Sequence, residues 1–227
     1  MKYNVLLFDV DNTLLDFYDA EENAFKVTSK YFGLPYSKEN YITYRQINKK
    51  WWNLYEKGLC EKIEITTNRF KDYLNFIGKS GNAQDIHNKY VASLSLGKKN
   101  MDGAYQVLEY FKNKGCKIYL ITNGVSKTQK SRLDGQPFNK FIDGVFISDE
   151  IGYPKPKVEY FKKVEELLGV KFDSKTLIVG DSLSSDIQGG INIGVDTALI
   201  NVDNLTDFSK IKPTYVFSNL YELMTLF

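Results

Sequence analysis

YNVLLFDVDNTLLDF, residues 3–17, starts as a strand and breaks off in acids. Tyr3 to Phe8 is a short apolar, β-rich run bounded by Asp, the pattern of a strand buried on both faces. Asp9 and Asp11 are two apart, so in extended geometry they point to the same side. They stand where the strand should stop, and open α/β sheets bind ligands outside the carboxyl ends of their strands. Two carboxylates placed together repel unless a cation or a proton is shared. The pair suits a hard divalent metal, or a nucleophile beside an acid/base. An Asx turn closing the strand would use the same residues.

Similar runs recur downstream: Lys117 to Ile121, Gly144 to Ile147, Thr176 to Val179, Thr197 to Ile200 and Tyr215 to Phe217. Helical patterns lie between most of them. Ala104 to Lys114 follows an Asp102 cap and stops at Gly115, and Lys157 to Leu168 follows Pro156 and stops at Gly169. Strands alternating with helices predict right-handed βαβ units and an α/β, Rossmann-like parallel sheet. The stretch 16–96 has no convincing strand. Tyr41, Tyr44, Asn48, Trp51, Trp52 and Tyr55 follow near-helical spacing, and so do Ile63, Phe70, Tyr73, Leu74 and Ile77, with Ser80-Gly81-Asn82 as a loop between helices. The expected organisation is a core of residues 1–15 and 97–227 with an all-helical cap domain, 16–96, inserted after the first strand.

Other strand ends carry chemistry as well. Lys117 to Ile121 runs into Thr122-Asn123-Gly124, a hydroxyl, an amide and a flexible glycine entering a helix, which could cradle a phosphate or simply turn the chain. Gly152-Tyr153-Pro154-Lys155-Pro156 presents Lys155 stiffly between two prolines. Leu177 to Val179 ends in Gly180-Asp181-Ser182, with Asp186 five residues beyond Asp181; these acids could equally help start the next helix. Together the segments supply carboxylates, a hydroxyl and a lysine at one edge of one sheet. Phosphoryl transfer needs that set: a nucleophile, a metal site, donors for the phosphoryl oxygens and a balancing cation.

The composition narrows the field. The chain has 227 residues, 43% hydrophobic and 26% charged, the balance of an ordinary globular protein. A net charge of +2 gives no case for a nucleic-acid polymer or a membrane surface as partner. Lys49-Lys50, the densest basic spot, reads as a solvated helix face. Cys60 and Cys116 lie far apart with no pairing pattern, as reduced thiols in a cytoplasmic protein would. No run of about 18 apolar residues is present, and the N-terminal apolar run is interrupted by acids, unlike a signal peptide. The single histidine, His87, argues against histidine-base and multi-histidine metal chemistry, and its polar helical setting predicts a surface residue. There is no GxxxxGK[ST] loop, and Gly189-Gly190 to Gly194 is spaced unlike GxGxxG.

FDVDNTL, Thr122 in ITNG, Lys155 in PKP and GDSLSSDIQGG resemble, in order, the four motifs of the haloacid dehalogenase superfamily, and the likeness runs over nearly the whole chain. The resemblance implies a role for each residue. Asp9 would be nucleophile and Mg2+ ligand. Asp11 would be general acid/base and lend its backbone carbonyl to the metal. Thr122, with the backbone near Asn123, would hold the phosphoryl group, and Lys155 would balance its charge and that of Asp9. Asp181 would bind the metal, and Asp186 would do so directly or through water. The superfamily's carbon–halogen dehalogenases lack the second aspartate, so Asp11 favours phosphoester chemistry. A single carboxyl can protonate an alcohol and then deprotonate water.

FDVDNTLLDF, ITNG and GDSLSSDIQGGINIGVDT further resemble the house-cleaning 5′-nucleotidase branch. The function so implied is a magnesium-dependent phosphatase of small phosphomonoesters, first of all nucleoside monophosphates. A sugar-phosphate phosphatase or phosphomutase is the alternative. A phospho-receiver signalling domain is the non-enzyme alternative, although a receiver needs no helical insertion. Phe17, where the chain leaves the catalytic strand for the cap, is a candidate substrate contact. Trp51, Trp52 and the cap tyrosines offer faces for a base, with Arg45, Lys49, Lys50 and Arg69 nearby.

Overall fold

The computed structural model describes residues 2–226, which form two compact units. One contains residues up to Phe17 and Lys98 onward; the other runs from Tyr18 to Gly97.

The first unit holds a six-stranded, wholly parallel sheet in the order β3-β2-β1-β4-β5-β6. The strands are β1 (Val5–Phe8), β2 (Lys117–Thr122), β3 (Gly144–Ile147), β4 (Thr176–Gly180), β5 (Asp196–Ile200) and β6 (Tyr215–Phe217). All six expected strands are present. The first begins at Val5 rather than Tyr3: Asn4 and Val5 both donate to the Lys175 carbonyl (2.9 and 3.2 Å), and regular pairing with β2 and β4 starts at Val5. The apolar runs of the four central strands, β1, β2, β4 and β5, are continuous because both faces are covered. Leu6 and Phe8 join one core with Val107, Phe111, Leu120 and Val179, and Leu7 joins another with Ile121, Tyr160, Phe161 and Ile178. β1 pairs with β2 on one side and β4 on the other, Phe8 lying level with Leu120 and Val179. The chain winds from β1 out to β2 and β3 and then returns to β4, β5 and β6 on the other side of β1, so the carboxyl end of β1 is the switch point at which open α/β sheets bind ligands.

The second unit is helical: most of α1 (Phe17–Phe32), then α2 (Lys38–Glu56), α3 (Lys62–Phe76) and α4 (Ala83–Leu94). Ser37 caps α2 through the Asn40 amide, Glu61 and Glu64 form a capping box on α3, and Asn82 caps α4. The core is aromatic. Phe25 stacks on Tyr44 (4.7 Å between centroids), Tyr44 on Phe70 (5.3 Å), and Tyr73 and Tyr90 close on them edge-on or tilted.

A buried polar chain runs beside these rings. Asn48 donates to Glu21 (2.7 Å) and accepts from Arg69 (2.9 Å), and Arg69 reaches His87 Nδ1 (3.2 Å). His87 is therefore half-buried and partnered, rather than the freely solvated residue its polar surroundings predict. Burial first, and the Arg69 charge second, lower its pKa to about 4. Arg69 is enclosed in the same chain and is unavailable as a loose basic group beside the aromatics. Among the described residues no helix is long and apolar enough to cross a membrane.

The remaining helices belong to the first unit: α5 (Ala104–Asn113), α6 (Ser126–Leu133), α7 (Ser148–Ile151), α8 (Val158–Leu168) and α9 (Gln188–Ile193), the last preceded by a π-helical turn, Leu183–Ile187.

Candidate active site

β1 delivers Asp9 one residue past its end, where the Asp9 amide still donates to Val179 O (2.8 Å) and fixes the backbone to β4. β2 ends on Thr122, and the π-helical turn after β4 carries Asp186. Lys155 comes from the loop before α8. It is 1% exposed, and its ammonium meets Asp9 Oδ1 (2.6 Å), Asp186 Oδ1 (2.7 Å) and the Ile121 carbonyl (2.9 Å). Three protons meet three acceptors, so the ammonium is fully satisfied. Burial alone would lower the pKa of Lys155, but Asp186 and Asp9 outweigh it and raise it.

The Lys155 loop is pinned by Asn123. The Asn123 amide donates to the Lys155 carbonyl and accepts from the Lys155 N–H, both at 2.8 Å. The sequence reading gave the backbone around Asn123 to the phosphoryl group; its side chain holds the backbone of Lys155. Thr122 is buried, and its Oγ1 accepts from the Gly124 N–H (3.0 Å).

Asp9, Asp181 and Asp186 offer carboxylate oxygens that lie within 4.8 Å of one another. Burial, and then the neighbouring Asp186 and Asp11, push the pKa of Asp9 up to about 8 against the pull of Lys155. Burial with Asp9 and Asp186 raises Asp181 as well. One ammonium is too little charge for this group, and all-oxygen hard donors at such spacing fit a magnesium ion that keeps part of its water. Gly180 makes the packing possible. A Cβ there would stand 2.2 Å from Asp186 Oδ2, the atom that also accepts from the Ser182 N–H (3.2 Å).

Asp11 is held from α6. Gln129 Nε2 donates to Asp11 Oδ2 (2.6 Å), and Arg132 forms an ion pair with Oδ1. Neither residue was singled out from the sequence. The available signal was a helix, SKTQKSRL, whose buried face is Thr128, Gln129, Arg132 and Leu133, nearly all polar. Phe17 is half-buried, with its ring 5.5 Å from the Arg132 guanidinium. The structure thus gathers Asp9, Asp181, Asp186 and Lys155 into one cluster, places Thr122 and Asn123 at the adjoining strand end, and sets Asp11 and Phe17 around Arg132.

Comparison with known proteins finds relatives along nearly the whole chain. The model of the haloacid dehalogenase-like hydrolases matches residues 3–194. YfnB of Bacillus subtilis, which carries the HAD-hydrolase name, is 35% identical over 98% of this chain and 94% of its own. A crystal structure of YfnB bound to magnesium, reported to reveal interdomain movement, superposes with a TM-score of 0.93, covering 100% of this chain and 99% of that one at 34% identity. The pyrimidine 5′-nucleotidase PynA of Streptococcus pneumoniae is 30% identical over 99% of this chain and 94% of its own. The pyrimidine 5′-nucleotidase YjjG of Escherichia coli is 30% identical over 100% and 98%.

Proposed function

This chain belongs to the haloacid dehalogenase-like hydrolases, and from that premise we propose that it is a magnesium-dependent phosphatase that forms a phospho-aspartate on Asp9. The carrying observation is the buried Lys155 ammonium between Asp9 and Asp186, with Asp181 beside them, at the end of the central strand. Magnesium held by Asp9, Asp181 and Asp186 would neutralise charge on the transferring phosphoryl group. Asp9 attacks phosphorus as Lys155 fixes one of its oxygens and leaves the other to react. Asp11 protonates the departing alkoxide and then takes a proton from the water that hydrolyses the phospho-aspartate. Thr122 and the amides that follow it receive the phosphoryl oxygens. The residues from Tyr18 to Gly97 act as a cap, and Phe17 lies at the start of the chain's path into it.

For substrate we infer a nucleoside 5′-monophosphate, with pyrimidines foremost. Two full-length relatives named as pyrimidine 5′-nucleotidases support this, as do the motifs around Asp9, Thr122 and Asp181. A sugar phosphate is the competing substrate, since a glyceraldehyde 3-phosphate phosphatase is 26% identical over 86% of this chain. Membership in a hydrolase family leaves no room for the receiver alternative. The test is kcat/KM over a panel of nucleotides and sugar phosphates, with magnesium and with excess chelator, for wild type and Asp9→Asn. Uridine or thymidine 5′-monophosphate is expected to lead, with no turnover in chelator or in Asp9→Asn. A sugar phosphate preferred by about tenfold overturns the nucleotidase assignment. Full activity in Asp9→Asn overturns the mechanism.

A further inference from the structure

Asp11 lies outside the Lys155 knot and is governed by a different element. Both of its oxygens are occupied from α6, Oδ2 by Gln129 and Oδ1 by Arg132, residues three apart and so on one helix face. The donors are sealed, Arg132 at 0% and Gln129 at 2% exposure, while the Asp11 side chain keeps 25%. The accessible end of this assembly is the carboxylate.

The surroundings are shaped for the contact. A Cβ on Gly124 would lie 2.0 Å from Gln129 Nε2, so the glycine after Thr122-Asn123 opens the path of the Gln129 amide to Asp11. Phe17 covers the guanidinium at 5.5 Å. The arrangement is a poor way to stabilise a fold. Burying a guanidinium is costly even when it is paired, and apolar residues of similar volume commonly do as well or better. Gln129 Oε1 is buried with no hydrogen-bond partner among the described residues, a further cost. What the two residues obtain in return is a carboxylate fixed at both oxygens.

We propose that Arg132 and Gln129 are positioning residues that aim the Asp11 carboxyl at the oxygen of the leaving group and then at the attacking water. The inference rests on the acid/base reading of Asp11. Each Asp11 oxygen gives one lone pair to α6 and keeps another for the proton in transit. In the first step the Asp9–phosphorus bond forms, the bond from phosphorus to the leaving oxygen breaks, and the proton of Asp11 moves to that oxygen. In the second, water attacks phosphorus, its proton passes to Asp11 and the Asp9–phosphorus bond breaks. A swinging carboxyl would satisfy neither geometry.

The experiment compares p-nitrophenyl phosphate, whose leaving group departs without a proton, with phenyl phosphate, whose leaving group needs one more. The readout is the ratio of their kcat/KM values in wild type, Arg132→Met, Arg132→Lys, Gln129→Met and Asp11→Asn. We expect the ratio to rise about tenfold in Arg132→Met, about threefold in Gln129→Met, and by an intermediate factor in Arg132→Lys, in the same direction as the rise expected in Asp11→Asn. A purely structural role would lower both substrates together and leave the ratio within about twofold of wild type, which overturns the proposal. If Arg132→Met does not fold, Gln129→Met decides by the same criterion. An unchanged ratio in Asp11→Asn removes the acid/base reading, and this inference with it. A raised ratio there, with none in the α6 variants, removes the inference alone.

Discussion

At the scale of single residues the site depends on close approaches that leave no slack. Gly180 is one of them. An added methyl would meet Asp186 Oδ2 at 2.2 Å and its Cγ at 2.3 Å, and that carboxylate is already tied to Lys155 and the Ser182 amide. The carboxylate would have to shift, and Lys155 would be drawn off Asp9 with it. Gly180→Ala should fold yet lose about 100-fold in kcat, since a displacement near 1 Å suffices for that. A kcat within about threefold of wild type, measured at saturating magnesium, would count against this account of the Lys155 cluster. Asp9, Thr122 and Asp181 were legible in the sequence because each stands at or just past a strand end, Lys155 because two prolines flank it, and Asp186 because it follows Asp181 by five residues in the turn after β4. Gln129 and Arg132 were not. Helical spacing shows which face of α6 is turned inward, but a polar inward face looks the same in sequence as a solvated outward one.

Among the elements, strands were easier to read than the polar interior of helices. A parallel strand covered on both faces is a run of apolar residues whatever its partners, so β1 to β6 appear nearly as expected. In the helical unit the aromatic spacing located α2 and α3, but the chain Glu21–Asn48–Arg69–His87 links four helices and depends on register that no single segment contains. His87 on α4 gives this network a pH signature. Its pKa falls from 6.5 to about 4 on folding, so between those values the unfolded chain binds more protons than the folded one. Stability from this group is complete above pH 6.5 and is lost as pH falls toward 4. Glu21 acts in the opposite sense, because burial raises its carboxyl and favours the fold at lower pH. Comparing wild type with His87→Asn cancels the Glu21 contribution. The wild-type helical unit should lose stability relative to the variant from pH 6.5 downward, read by urea denaturation at several pH values. A difference that does not change with pH would show that the imidazole is not held neutral.

The whole molecule divides into a unit that owns the acidic cluster and a unit that owns both tryptophans, Trp51 and Trp52. Trp51 is anchored inside the helical unit, its indole N–H 3.0 Å from Asp72. Tryptophan fluorescence therefore follows the helical unit alone, while far-UV circular dichroism follows both. Magnesium offers a selective handle, since Asp9, Asp181 and Asp186 all lie in the sheet-bearing unit. A ligand that binds only the folded form stabilises what it binds, by about 2.7 kcal/mol at a hundred times its Kd, or roughly 5 °C or more in Tm for a unit of this size. The relief of repulsion among three clustered carboxylates acts in the same direction. Saturating magnesium should raise the circular-dichroism transition of the sheet unit by that amount and leave the fluorescence midpoint within about a degree. In Asp181→Asn the shift should largely vanish, because the cluster loses a charged ligand while the sheet is untouched. An equal rise in both signals would mean that the two units unfold as one. An undiminished rise in Asp181→Asn would place the cation elsewhere than the cluster at the end of β1.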